Sequence, residues 1–163
     1  LKTVSGRMEY VRGGNNITAV VDYSHTPDAL KNVLLTLKEL LKPGQELVCV
    51  VGCGGNRDKT KRPVMAQIAD QYSHMCVFTS DNPRFEDPED ILDQMMAGLS
   101  PEQQSRHLRI TDRRQAIKTA VRTARPGTVI LVAGKGHETY QDIQGVKTHF
   151  DDKEILREIL KTG

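Results

Sequence analysis

The apolar run Met75-Cys76-Val77-Phe78-Thr79-Ser80 is followed at once by Asp81-Asn82-Pro83-Arg84. An amide and a guanidinium therefore stand at the end of a predicted buried strand. In an open parallel sheet that end is where ligands bind. Pro83 fixes its own φ and pushes Asn82 out of the helical region, which holds Arg84 at a defined angle. A guanidinium is a planar fork that meets a carboxylate through two parallel hydrogen bonds. Taken alone, the tetrapeptide fits a solvated strand-to-helix turn equally well.

Three other loops begin where apolar runs end. After residues 17–21 comes Asp22-Tyr23-Ser24-His25-Thr26-Pro27-Asp28. Asp22 could bind ribose hydroxyls or water around a metal, and His25 offers a flat ring or a hydrogen bond; either could also just cap the next helix. After residues 47–51 comes Gly52-Cys53-Gly54-Gly55-Asn56-Arg57-Asp58. Glycines there let backbone N–H groups approach a ligand, and a helix start favours an anion. The dinucleotide fingerprint fails, because Arg57 stands where its third glycine belongs. That failure weighs against a nicotinamide-dependent oxidoreductase. After residues 129–133 comes Gly134-Lys135-Gly136-His137-Glu138, which lacks the first glycine and the final hydroxyl of a nucleotide-cradling loop. Glu138 supplies a carboxylate suited to an ammonium group. Arg57, Asn82 and Arg84 for a carboxylate, with Glu138 for an amine, suit a zwitterionic amino acid.

The elements that must position these loops alternate. Short, continuous, β-branched runs at residues 17–21, 47–51, 75–79, 108–110 and 129–133 suit strands covered on both faces. Thr26-Pro27-Asp28 opens a helix whose apolar stripe is Leu30, Val33, Leu34, Leu37, Leu40 and Leu41, ended by Pro43-Gly44. Further helices are predicted at residues 61–71, 88–98 and 112–124, the last capped by Asp112. Residues 140–143 and 146–150, joined by Gln144-Gly145, read as a hairpin at one sheet edge. Asp151 or Asp152 then caps a last helix. The alternation predicts an α/β fold, a doubly wound and mostly parallel sheet with flanking helices.

At 163 residues the chain is the size of one domain, spanning 1–163. Its charges nearly cancel, 23 basic against 21 acidic, so nucleic acid and membrane partners are not expected. The basic clusters at Arg57–Arg62 and Arg113-Arg114 read as solvated helix starts. Three cysteines without a C-x-x-C pair and five scattered histidines give no metal site, and a reduced, cytoplasmic setting is expected. Leu1 is not a start residue, so the chain reads as a piece of a longer protein.

In order along the chain, Gly6-Arg7-Met8-Glu9, the Val21-to-Leu30 segment, the Gly52-to-Lys59 segment, Asp81-Asn82-Pro83-Arg84 and Gly134-Lys135-Gly136-His137-Glu138 resemble the C-terminal domain of the Mur ligase family. The resemblance covers nearly the whole chain and is closest to the branch that handles meso-diaminopimelate. It implies a Rossmann-like domain that delivers the amino acid to an ATP-dependent acid–amino-acid ligase of peptidoglycan synthesis. The acceptor would be UDP-N-acetylmuramoyl-L-alanyl-D-glutamate, activated as an acyl phosphate before the amine attacks. By resemblance, Arg57, Asp81, Asn82, Pro83, Arg84, Gly134 and Glu138 contact meso-diaminopimelate. Arg7, Asp22 and His25 meet ATP on domain closure. ATP and Mg2+ would be held mainly by a central domain outside this chain, so no cofactor, metal or catalytic residue is expected here. The piece alone would be inactive and monomeric. A stand-alone amino-acid or nucleotide-binding module is the alternative.

Overall fold

The computed structural model describes residues 8–162. Arg7, expected to meet ATP, lies outside the described residues. Six strands form one sheet: β1 (Glu9–Arg12), β2 (Thr18–Asp22), β3 (Leu47–Val51), β4 (Met75–Phe78), β5 (Leu108–Arg109) and β6 (Val129–Ala133). Their order is β1-β2-β6-β3-β4-β5, and every pair is parallel except β1 with β2. β1 has no counterpart among the predicted strands. Its four residues Glu-Tyr-Val-Arg bury only Val11, too little pattern to stand out before β2 supplies the partner.

Alternate strand residues feed two cores. Leu47, Cys49 and Val51 of β3, with Leu131 and Ala133 of β6, pack under α1 (Pro27–Leu40), α2 (Lys61–Tyr72) and α3 (Pro88–Met96). Val48, Val50, Ile130 and Val132 face the other way, under α5 (Arg113–Thr123) and α6 (Asp152–Thr162). Period-two alternation thus divides apolar runs that look uniform in sequence. A short helix, α4 (Pro101–Ser105), sits before β5 and is closed by a capping box between Ser100 and Gln103.

The predicted caps form. Thr26 Oγ1 accepts from the Ala29 N–H at 3.3 Å, and Asp112 Oδ2 accepts from Gln115 N–H at 2.9 Å. Of the predicted α1 stripe, Leu30, Val33, Leu34 and Leu37 are buried and Leu41 packs partly buried against the core, whereas Leu40 is 43% exposed. At α6, Asp151 is the residue whose carboxylate takes the first free amides, from Lys153 and Glu154.

The hairpin of β7 (Tyr140–Ile143) and β8 (Val146–His149) forms as predicted, with Gln144 and Gly145 both at positive φ. It does not extend the large sheet. It is a separate two-stranded sheet. Its backbone partner is instead Arg84, whose N–H donates to the Asp142 carbonyl at 2.9 Å and whose carbonyl accepts from Gln144 N–H at 2.7 Å.

Arg113 is not a solvated helix start. Its guanidinium is buried and paired with Asp152 through Nε and Nη2 at 2.9 and 2.8 Å. Nη1 reaches the Ser80 carbonyl at 2.9 Å and Nη2 the Ala133 carbonyl at 3.2 Å. One side chain therefore joins the ends of β4 and β6 to the start of α6. Arg114, its neighbour, makes only a half-exposed pair with Glu158. Removing one member of a buried pair strands the other charge, so Asp152→Ala should lower the unfolding free energy by about 3–5 kcal/mol. Arg114→Ala should cost less than about 1 kcal/mol. Urea denaturation compares them, and equal losses would remove Arg113 as the fastening.

Candidate functional site

The carboxyl ends of β2, β3, β4 and β6 open onto one cleft of about 380 Å³. Arg57, Asp81, Asn82, Arg84, Gly134 and Glu138 all line it, as does His25 on its rim. Two expected residues do not. Pro83 is buried behind the wall, where its carbonyl accepts from the Glu86 N–H at 3.0 Å. Asp22 is also buried, with its carbonyl holding the Gly134 N–H at 2.9 Å.

The glycine loop after β3 is built to touch the loop after β4. A Cβ on Gly55 would lie 1.8 Å from the Pro83 carbonyl oxygen, so no other residue allows the approach. The Gly55 N–H donates to the Asn82 carbonyl at 2.7 Å, and Arg84 Nη1 donates to the Gly55 carbonyl at 2.8 Å. The Gly55 amide expected to serve a ligand is thus spent on loop packing. Arg84 itself has φ +53, an uncommon conformation for a residue with a Cβ. The hairpin, through Asp142 and Gln144, holds it there more directly than the proline does.

Sequence reasoning missed two further residues that shape this cleft. Arg62, in a basic cluster read as solvated, is 1% exposed. Its Nη1 and Nη2 fork onto Glu86 at 3.0 and 2.8 Å, and Nη2 also donates to the Gly54 carbonyl at 2.9 Å. Lys135 is fully buried. Its ammonium donates to Asn82 Oδ1 at 2.6 Å and to the Tyr140 carbonyl at 2.9 Å, and faces Asp81 at 3.3 Å and Glu138 at 3.7 Å. Burial pushes its pKa down, and Asp81 opposes that shift. The only sequence signal was a lysine between two glycines.

Chemically the cleft is a charge-sorted receptacle. Guanidinium groups of Arg57 and Arg84 and carboxylates of Asp81 and Glu138 share one space. Cys53 also lines it, but burial pushes its thiol up to about 12, so it is no nucleophile at neutral pH. Tyr23 and His25 also line it, their rings tilted 48° to one another with centroids 4.6 Å apart. Among the described residues no group of three or more His, Cys, Asp or Glu is placed to hold a metal ion.

The family model described as "Mur ligase, glutamate ligase domain" matches residues 6–136. The chain belongs to the Mur ligase family. It is 57% identical over 162 residues to the UDP-N-acetylmuramoyl-L-alanyl-D-glutamate–2,6-diaminopimelate ligase of Parabacteroides distasonis, covering 99% of this chain and 33% of that protein. The ligase of the same name from Bacillus cereus is 49% identical over 160 residues, covering 98% and 32%. This Mur ligase chain therefore spans about a third of the length of the curated relatives it matches. A solved structure of such a diaminopimelate ligase superposes with TM-score 0.89 at 45% identity, over 98% of this chain and 32% of that one. The bifunctional folylpolyglutamate/dihydrofolate synthase of Yersinia pestis, at 17% identity and TM-score 0.59 over 81% of this chain and 28% of that one, shares the fold.

The Arg62 fork, the first cause, holds the Glu86 carboxyl well below its ordinary 4.5, at about 2, against the opposing effect of burial. A carboxyl depressed by folding adds stability above its unfolded pKa and loses it as pH falls through the folded one. The stability gap between wild type and Glu86→Gln should therefore be full at neutral pH and close between about 4.5 and about 2. Urea midpoints across that range check it, and a gap independent of pH would remove the ion pair as its source.

Proposed function

We propose that this domain binds meso-2,6-diaminopimelate for an ATP-dependent ligase that joins it to UDP-N-acetylmuramoyl-L-alanyl-D-glutamate in peptidoglycan synthesis. The observation that carries the reading is the shared cleft: Arg84, locked by the hairpin and the glycine loop, stands with Arg57 and Glu138 around one space. Diaminopimelate has an amino-acid group at each end. One end meets the guanidinium forks of Arg57 and Arg84 and the Asn82 amide with its carboxylate. Its ammonium meets Glu138 beside Gly134. The other end is left toward the cleft mouth, where its amine can attack an activated carboxyl. L-Lysine lacks the far carboxylate and leaves Arg84 with the Gly55 carbonyl but no carboxylate to pair with.

No residue of the cleft needs to act as nucleophile or general base. The contribution is proximity: the amine is held in one place while closure of the ligase brings the acceptor to it. ATP would meet this domain at the ring of His25, which lines the cleft beside Tyr23. Asp22, buried and tied to Gly134, supports the wall from behind. The reading leaves the ATP phosphates and Mg2+ to the part of the ligase beyond this chain. A monomeric, cytoplasmic protein with small-molecule partners belongs to the same reading, supported by near-balanced charge and three free cysteines.

A charge-assisted contact contributes ~1.5–3 kcal/mol, so in the full-length ligase Arg84→Ala should raise the KM for meso-diaminopimelate by roughly one to two powers of ten. The KM for ATP should stay nearly unchanged, and preference over competing L-lysine should shrink. Steady-state kinetics decide, and equal losses for both substrates would refute the assignment.

A further inference from the structure

Lys135 never reaches the cleft surface, yet it touches Asn82, which does line the cleft. An asparagine amide is ambivalent, with an acceptor oxygen and a donor nitrogen of nearly the same shape. Here the ambiguity is removed by its neighbours. Asn82 Oδ1 takes the Lys135 ammonium at 2.6 Å and the Asp142 backbone N–H at 3.1 Å. Both of those groups can only donate, so the oxygen must face them. The nitrogen is left on the other side, where Nδ2 donates to Glu138 Oε1 at 3.2 Å. Nδ2 carries two hydrogens, so Asn82 offers the cleft donors and no acceptor.

We propose that Lys135 is the positioning residue that fixes this polarity: it saturates the Asn82 oxygen from behind, so that Asn82 and Arg84 together present only donors and select a carboxylate. The inference rests on the reading that the cleft takes diaminopimelate, and adds a residue that acts without touching it. The same ammonium stands 3.3 Å from Asp81 and 3.7 Å from Glu138.

Steady-state kinetics of the full-length ligase test this. Asn82→Asp preserves shape and offers Lys135 a carboxylate, but turns the donor that meets Glu138 at 3.2 Å into an acceptor. With polarity as the function, Asn82→Asp should raise the KM for meso-diaminopimelate about ten-fold beyond Asn82→Ala, with the KM for ATP within about two-fold. Lys135→Met should raise the same KM by about ten-fold or more, and combining it with Asn82→Ala should cost clearly less than the product of the single effects. Multiplying effects, or an Asn82→Asp enzyme with the wild-type KM beside a crippled Arg84→Ala, would overturn the inference alone. A wild-type KM in Arg84→Ala would remove the diaminopimelate reading and the inference with it. Should Lys135→Met fail to fold, the Asn82→Asp comparison, which leaves Lys135 in place, decides.

Discussion

The guanidinium of Arg113, closed off from water, is the constraint from which the cleft is built. It binds the carbonyls of Ser80 and Ala133 and the carboxylate of Asp152 at once. A charge in such a place must have all its partners, because an unpaired one costs several kcal/mol. The ends of β4 and β6 are therefore held at fixed separation. That in turn sets Asp81 against Gly134, where even a Cβ would lie 3.0 Å from the carboxylate. Every later contact in the cleft starts from this spacing.

Two more buried cations repeat the device nearer the cleft. Arg62 ties the glycine loop to Glu86, and Lys135 ties the loop after β6 to Asn82 and to the Tyr140 carbonyl. Four loops with little apolar surface thus form a wall without a hydrophobic core of their own. The order is set before any ligand arrives, so binding loses less conformational freedom than it would on mobile loops. The left-handed backbone of Arg84 fits this picture: strain of that kind persists only where surrounding contacts over-determine it. Those contacts are the hairpin on one side and Gly55 on the other.

The division of labour in a Mur ligase follows. In the proposed function the charge-sorted cleft orients an amine and needs no reactive thiol. The chain matches a third of its relatives' length, and the same proposal leaves the activating chemistry to the remainder. The fold recurs at 17% identity in the Yersinia pestis folylpolyglutamate/dihydrofolate synthase, and a shared fold does not by itself fix a function.

What the sequence determined alone is what depends on near neighbours. The apolar runs gave β2, β3, β4 and β6, and Thr26 and Asp112 announced helix starts, because capping acts within three residues. The loops at the strand ends were legible for the same reason. Tertiary structure alone decided which basic residues are buried. Arg62 meets Glu86 across 24 residues, Arg113 meets Asp152 across 39, and Lys135 meets Asn82 across 53. Nothing local separates Arg113 from Arg114, or Lys135 from a solvated lysine. The same holds for the hairpin, whose turn was evident but whose partner was Arg84 and not a sheet edge, and for Pro83 and Asp22, which lie behind the wall. A buried charge is stable only beside a partner, and the partner's position exists only once the chain has folded.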